Sequence, residues 1–144
     1  MGKQEEIVDS PTGWVADHIR EYVETDGEKG QKYHGLDTLL ITTRGRRTGQ
    51  LRRTALIFGK SGNEYLLVAS NGGADKHPYW YTNLVATPEV AVQVGPERFV
   101  ARARTGTAAE RPGYWAAMAA IFPLYEEYQT KAPREIPVVV LERE

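Results

Sequence analysis

Apolar and polar positions change their period along the chain. Trp14, Val15, His18, Ile19, Tyr22 and Val23 share one face at helical spacing, while Asp17, Arg20, Glu21 and Glu24 fall elsewhere. Ser10-Pro11 offers an N-cap and a first-turn proline for that helix. Gly27 to Gly35 is polar and glycine-bearing, so it reads as a link. From Thr38 short β-prone runs take over. Residues 38–43 predict one strand. Residues 54–59 and 64–70 predict a hairpin around Lys60-Ser61-Gly62-Asn63, and 90–94 and 98–104 a second around Gly95-Pro96. In the second hairpin Phe99, Ala101 and Ala103 alternate with Arg98, Arg102 and Arg104, which predicts one buried and one wet face. Residues 136–141 predict a last strand, with Pro137 at its start or at a sheet edge. Helical stretches interrupt the strands. One covers about 76–86, with Asp75 as its cap. A second opens at the capping-box sequence Thr107-Ala108-Ala109-Glu110 and runs to about Ile121, and 122–129 adds a further turn or two.

Strands and helices do not alternate regularly, and the hairpins are tight. The pattern predicts a mostly β fold with flanking helices, a small antiparallel barrel with helices packed outside rather than a Rossmann sheet. We divide the chain into an N-terminal helix and link over 1–35 and a barrel over 36–144.

Composition narrows the classes. A chain of 144 residues with 41% hydrophobic and 26% charged positions fits a single soluble domain. It has no cysteine, which excludes disulfides and thiolate chemistry and fits a cytoplasmic location. No apolar run suits a transmembrane helix or a signal peptide. The stripe of Trp14, Val15, Ile19, Tyr22 and Val23 leaves three roles open: packing on the barrel, covering a site, or peripheral membrane contact. Packing is the ordinary one. The net charge of −1 argues against general nucleic-acid binding.

That charge is unevenly spread. Five arginines fall between Arg44 and Arg53, and no acidic residue lies between Asp37 and Glu64. Gly45 and Gly49 let the backbone approach an anion, and the arginines offer planar forks of donors. A charge run alone is usually a solvated loop; the interleaved glycines raise the case for a polyanion cradle. A second stretch, 68–84, passes from a strand through small residues and Gly72-Gly73 into Tyr79-Trp80-Tyr81. Small residues let a flat ring lie against the backbone, and a helix start offers N–H donors. Phe122, Tyr125 and Tyr128 form an aromatic group, with the two tyrosines on one helical face. His18, His34 and His77 lack metal-ligand spacing, so no metal site is expected, and no acid–base dyad can be assembled. A polyanion cradle without catalytic machinery of its own points to a cofactor that carries the chemistry.

Together these stretches resemble the deazaflavin (coenzyme F420)-dependent nitroreductase family, a split β-barrel group of actinobacteria in the flavin/deazaflavin oxidoreductase superfamily. The resemblance runs from about Leu39 to Leu141. It is carried by Arg44-Gly45-Arg46-Arg47-Thr48-Gly49-Gln50 with Arg52, by Ala69-Ser70-Asn71-Gly72-Gly73-Ala74-Asp75-Lys76, and by Pro78-Tyr79-Trp80-Tyr81-Thr82-Asn83-Leu84. Pro123-Leu124-Tyr125-Glu126-Glu127-Tyr128-Gln129 and Ile136-Pro137-Val138-Val139-Val140 complete it.

The resemblance implies a split barrel that binds reduced F420 and passes its hydride to an apolar acceptor such as a quinone. It implies Arg46, Arg47, Thr48 and Arg52 as ligands of the phosphate and poly-glutamate tail. Arg53, Thr54, Ala55, Leu56 and Ile57 would run along the cofactor, and Val68, Ala69 and Ser70 would lie beside its ring. Tyr79, Trp80, Tyr81, Thr82 and Asn83 would close the other side. Ile57, Phe122, Tyr125 and Tyr128 would line the acceptor pocket, with Ser70 or Tyr125 steering the acceptor or relaying a proton. Family members that reduce bicyclic nitroimidazole prodrugs carry tyrosine in place of Ile57 and Phe122, so the pocket here is more apolar and quinone reduction is favoured. The alternatives are a non-catalytic carrier of F420 or a lipid-like ligand, and an FMN-dependent oxidoreductase on the same barrel. Oligomeric state stays open.

Overall fold

The computed structural model describes residues 6–9, 13–28, 32–33 and 35–144. Ser10, Pro11, His34 and the side chain of Trp14 lie outside the described residues, as does the capping expected of Ser10-Pro11. Nine strands and four α-helices follow in chain order among the described residues. They are β1 (Ile7–Asp9), α1 (Gly13–Glu24), β2 (Lys32–Tyr33), β3 (Leu36–Arg44), β4 (Leu51–Ile57), β5 (Gly59–Ser61) and β6 (Glu64–Val68). A 3-10 turn (Asn71–Gly73) leads to α2 (Tyr79–Ala86), β7 (Glu89–Val94), β8 (Glu97–Thr105), α3 (Arg111–Ile121), α4 (Leu124–Lys131) and β9 (Val138–Arg143).

The strands form one sheet in the order β1-β4-β3-β7-β8-β9-β6-β5, with β2 on β3. β3 pairs antiparallel with both β4 and β7, and β9 with both β8 and β6. Among the described residues no ladder closes the sheet between β4 and β6. The chain itself joins the two ends, since only Phe58 separates β4 from β5. Its N–H bonds to Asp37 O at 3.3 Å, and its ring meets Tyr65 edge-on at 5.6 Å. This is the split barrel expected from the sequence, with one correction. The hairpin into the 64–70 run forms, but its first strand is Gly59–Ser61 and not 54–59: residues 54–57 pair with β3, the chain crosses at Phe58, and β6 takes β5 and β9 as partners. Pro137 precedes an inner strand, so it marks a strand start and not an edge.

The inner strands carry unbroken apolar runs because both of their faces are covered. Leu39, Ile41, Leu67, Val139 and Leu141 point into the barrel with Trp80 and Ala101. Leu66, Val68 and Val140 point outward under Met118, Tyr125 and Ile136 of the α3–α4 layer. Leu40 points outward under Val15, Ile19 and Tyr22 of α1. Burying each of those helix side chains contributes about 1.5–3 kcal/mol. Tyr22 adds a polar anchor. Its hydroxyl accepts from Gly95 N–H at 2.6 Å and lies 3.0 Å from Thr38 O and 3.3 Å from Gln93 O, to one of which it donates. Burial raises the Tyr22 phenol above its ordinary pKa, so it stays a donor. Gly27 ends the helix at φ 83°, against the β7–β8 turn, where a Cβ would collide with the Gly95 backbone. Val15, Ile19, Tyr22 and Val23 of the α1 stripe are thus spent on β3 and β4.

Two helix starts differ from expectation. α2 begins at Tyr79 with Pro78 as N-cap, and Asp75 makes no cap. The proline disfavours helical geometry in the residue before it. At Thr107–Glu110 both capping-box bonds form: Thr107 N–H to Glu110 Oε1 at 2.9 Å, and Glu110 N–H to Thr107 Oγ1 at 3.2 Å. They brace a turn that precedes α3, whose first residue is Arg111. Among the described residues no helix is long and apolar enough to cross a membrane.

Candidate active site

The opening between β4 and β6 is a channel of three connected cavities. At one end stands the loop between β3 and β4, which holds its shape through its own hydrogen bonds. Gly45 N–H bonds to Gln50 O at 2.7 Å, Gly49 N–H to Gly45 O at 2.8 Å, and Arg44 Nη1 to Gly49 O at 2.8 Å. Asn83, buried on α2, clamps it from below: its Oδ1 accepts from Arg46 N–H at 3.1 Å and its Nδ2 donates to Thr43 Oγ1 at 3.2 Å. Arg46, Arg47 and Thr48 are left exposed on a loop with a fixed backbone. They border a cavity of about 910 Å³, also lined by Arg52, Lys76, Arg134, His77, Tyr79 and Thr82. Five cations and two carboxylates, Asp9 and Asp75, face this space. Asp9 is bound bidentately to Arg53, at 2.6 and 3.1 Å, which leaves the cavity strongly positive.

The middle of the channel, about 430 Å³, lies between Leu56 on β4 and Val68, Ser70 and Gly72 beyond β6, with Pro78, Tyr79 and Trp80 across it. Leu56, Val68, Pro78 and Trp80 give it apolar walls, with Ser70, Asn71 and His77 as polar members. Arg134 staples the 69–77 loop that forms one wall. Its guanidinium donates to Ala74 O at 3.1 Å, Ser70 O at 3.1 Å and Lys76 O at 3.1 Å, and meets His77 Nδ1 at 3.0 Å. Burial and the Arg134 charge both lower the His77 pKa. Gly73 (φ 83°) lies so close to α4 that a Cβ would stand 2.8 Å from Tyr128 O.

The far end is a slot of about 240 Å³ lined by Ala55, Leu56, Ile57, Val68, Ser70, Phe122, Tyr125 and Tyr128, with His18 and Thr38 closing it from the α1 side. Tyr125 stands edge-on to Phe122 at 5.0 Å and to Tyr128 at 6.4 Å. Its ring is buried, and that burial, with Tyr128 beside it, pushes the phenol well above its ordinary pKa. Tyr125 can donate a hydrogen bond to an acceptor oxygen, yet it is a poor acid.

Most of the residues singled out from the sequence meet along this channel. Arg46, Arg47, Thr48, Arg52, Tyr79, Thr82 and Asn83 line the basic cavity. Leu56, Val68, Ser70, Tyr79 and Trp80 line the middle, and Ala55, Ile57, Phe122, Tyr125 and Tyr128 the slot. Four face elsewhere. Arg53 turns to Asp9, Thr54 is buried in the β3–β4 ladder, Ala69 lies in the barrel core, and Tyr81 bonds Thr105 Oγ1 at 2.8 Å. Strand alternation explains the first, since Arg52 and Arg53 must point to opposite faces; Thr54 shares the Arg52 face but is buried within the barrel wall. The structure adds Asp9, His18, Thr38, Asp75, Lys76, His77 and Arg134 to the lining. His18 was visible as a polar residue on an apolar helical stripe, and Asp75, Lys76 and His77 lie within or beside the small-residue motif. Arg134 carries no sequence signal: it is a lone arginine between a proline and a strand.

A family described as F420H(2)-dependent quinone reductase matches this chain over residues 14–143. An F420H(2)-dependent quinone reductase of Mycobacterium tuberculosis is 38% identical over 131 residues, spanning 88% of this chain and 87% of that protein. A solved domain-swapped dimer is 37% identical and covers 92% of this chain and 100% of its own, with a TM-score of 0.71. The solved F420-H2 dependent reductase FDR-A is 40% identical, covers 73% of this chain and 93% of its own, and has a TM-score of 0.67.

Proposed function

We propose that this chain, which belongs to the F420H(2)-dependent quinone reductase family, is an oxidoreductase that uses its channel to pass hydride from reduced coenzyme F420 to a quinone. One observation carries the site assignment. The positive cavity and the apolar slot are continuous, sharing His77 and Tyr79 at one junction and Leu56, Val68, Ser70 and Gly72 at the other. A ligand with an anionic tail and a flat ring system fits that sequence of surfaces.

The residues present suit the cofactor chemically. Arg46, Arg47, Thr48 and Arg52 would hold the phosphate and carboxylates through charge-assisted hydrogen bonds. The N-terminal turn of α2 sits at the same cavity and favours negative charge. Leu56, Val68 and Trp80 would sandwich the ring. The reduced deazaflavin supplies the hydride, so the protein's contribution is proximity, orientation and exclusion of water. Ile57, Phe122, Tyr125 and Tyr128 would hold the quinone edge-on in the slot, with Tyr125 and Ser70 as hydrogen-bond donors to its oxygens. The 36–144 barrel carries most of the site, and the N-terminal segment lends Asp9 and His18 to its two ends. The swapped dimer formed by a 37% identical relative supports self-association of this chain as well.

The assay that tests this reading follows the absorbance of reduced F420 on addition of menadione. We expect turnover with the quinone and little with a bicyclic nitroimidazole. A protein that binds F420 without oxidising it in the presence of menadione is a carrier, and the reading fails.

A further inference from the structure

Quinone reduction needs a proton as well as a hydride, and the slot holds few groups that can give one. Ser70 is a hydroxyl with no tendency to ionise near neutrality. Tyr125 is held protonated by burial, and Tyr128 is also a phenol. His77 lies toward the basic end, and the Arg134 guanidinium at 3.0 Å opposes its protonation. His18 differs from all of these. It reaches the slot from α1, is half-buried between solvent and the cavity, and has its Nε2 3.3 Å from Thr38 Oγ1. Imidazole is the one side chain whose ordinary pKa lies near neutrality. Its ring is fixed by stacking on Tyr22 at 6.5 Å, and Tyr22 is itself pinned in the barrel wall.

We propose that His18 is the general acid of the acceptor site, delivering to the quinone oxygen the proton that accompanies the hydride. The inference rests on the quinone reductase reading given above. In the step, the hydride brings the electron pair and one hydrogen to the quinone. The imidazolium N–H bond breaks, an O–H bond forms on the reduced acceptor, and the neutral imidazole takes a proton back from water at the solvent side of α1. One proton is released from the oxidised cofactor in the same turnover, so no further reactant is consumed. Among the described residues, the titratable groups set against His18 are Tyr125 and Tyr128 of α4, which line the same slot, and Tyr22, stacked on it from α1; Asp37 adjoins its partner Thr38 along β3. Arg53, on β4, is engaged by Asp9. Asp17 and Arg20, exposed on the same helix, pair with each other at 2.7 Å.

The test compares two acceptors that differ in their demand for a proton, each referred to its own parental rate. Menadione takes a hydride and a proton; the N-methylphenazinium cation becomes neutral on taking a hydride alone. Rates with reduced F420 are measured from about pH 5 to about pH 9, across the range in which imidazole titrates. The parent protein should lose menadione kcat/KM toward alkaline pH through one ionisation. His18→Gln and His18→Phe, the second keeping a ring against Tyr22, should lower menadione turnover by on the order of 10²-fold and remove that alkaline limb. Both should keep the parental N-methylphenazinium rate and F420 affinity. Equal losses with both acceptors, unchanged menadione turnover, or an alkaline limb that survives in the variants would overturn the proposal. If the parent reduces neither acceptor, the quinone reductase reading itself has failed, and the proposal falls with it.

Discussion

At the basic end of the channel the ligand-facing groups ride on a loop and stand in solvent. Arg46, Arg47 and Thr48 are exposed, and only the backbone beneath them is fixed, by Gly45, Gly49 and Asn83. At the aromatic end the arrangement is reversed. Ile57, Phe122, Tyr125 and Tyr128 are buried or half-buried, and their positions follow from strand register and helix packing. The first end works by charge at an accessible surface, so its strength depends on salt. The second works by shape and apolar contact, which salt barely touches. The contrast teaches that cofactor retention and acceptor choice reside in different physics and different residues. Each should be removable without the other.

The strongest break in that contrast is expected at the arginines. Arg47→Ala combined with Arg52→Ala removes charge-assisted contacts of about 1.5–3 kcal/mol each, so the F420 dissociation constant should rise about a hundredfold or more. Fluorescence titration at low and high salt reads this out, and the double variant should also lose most of the parent's salt dependence. Menadione KM at saturating cofactor should hold. A matching rise in that KM would show that the two ends are not separable.

A smaller effect is expected where the slot leans on α1. Tyr22→Phe leaves Gly95 N–H and a strand carbonyl without their partner, at a cost of about 1–3 kcal/mol. The melting temperature should fall by several degrees, while F420 affinity below the transition stays near the parental value. A parental melting temperature would mean that the helix is not anchored through this hydroxyl.

The smallest change sharpens acceptor choice. Ile57→Tyr restores one hydroxyl to the slot, and one hydrogen bond is worth about 0.5–1.5 kcal/mol, or roughly 2- to 10-fold in rate. Turnover of a bicyclic nitroimidazole should rise by that factor with little change for menadione. No gain would place the discrimination elsewhere in the slot.

Which parts of this were legible from the sequence follows from the same physics. The strands of the barrel, the outer helices and the charge cradle were readable because periodicity and local composition encode them. The turn at 60–63 was readable too, but the break at Phe58 that sends 54–57 to β3 and leaves 59–61 to pair with β6 was not, because it depends on long-range closure of the sheet. β1 was also missed: three residues are too few to carry a periodic signal, and its partner β4 defines it. At the site, most residues of the motif blocks meet along the channel, while Ala69 and Tyr81 from the same blocks face elsewhere. Arg53 was misdirected for want of strand phase, and Thr54 because its burial in the β3–β4 ladder depends on the folded barrel. Arg134 and the roles of His18 and Asp9 come from distant segments that only the folded chain brings in.

The central claim is that one ligand spans both ends, anionic tail in the basic cavity and ring in the apolar middle. Its most direct test is equilibrium titration with F420 and with the corresponding tail-less deazaflavin riboside, which has the ring but neither phosphate nor glutamates. On the parent protein F420 should bind far more tightly than the riboside, by about a hundredfold or more, and only F420 should weaken with salt. On the Arg47→Ala, Arg52→Ala double variant the gap should collapse toward the riboside value. Equal binding of the two ligands to the parent, or an undiminished gap in the double variant, would contradict the account.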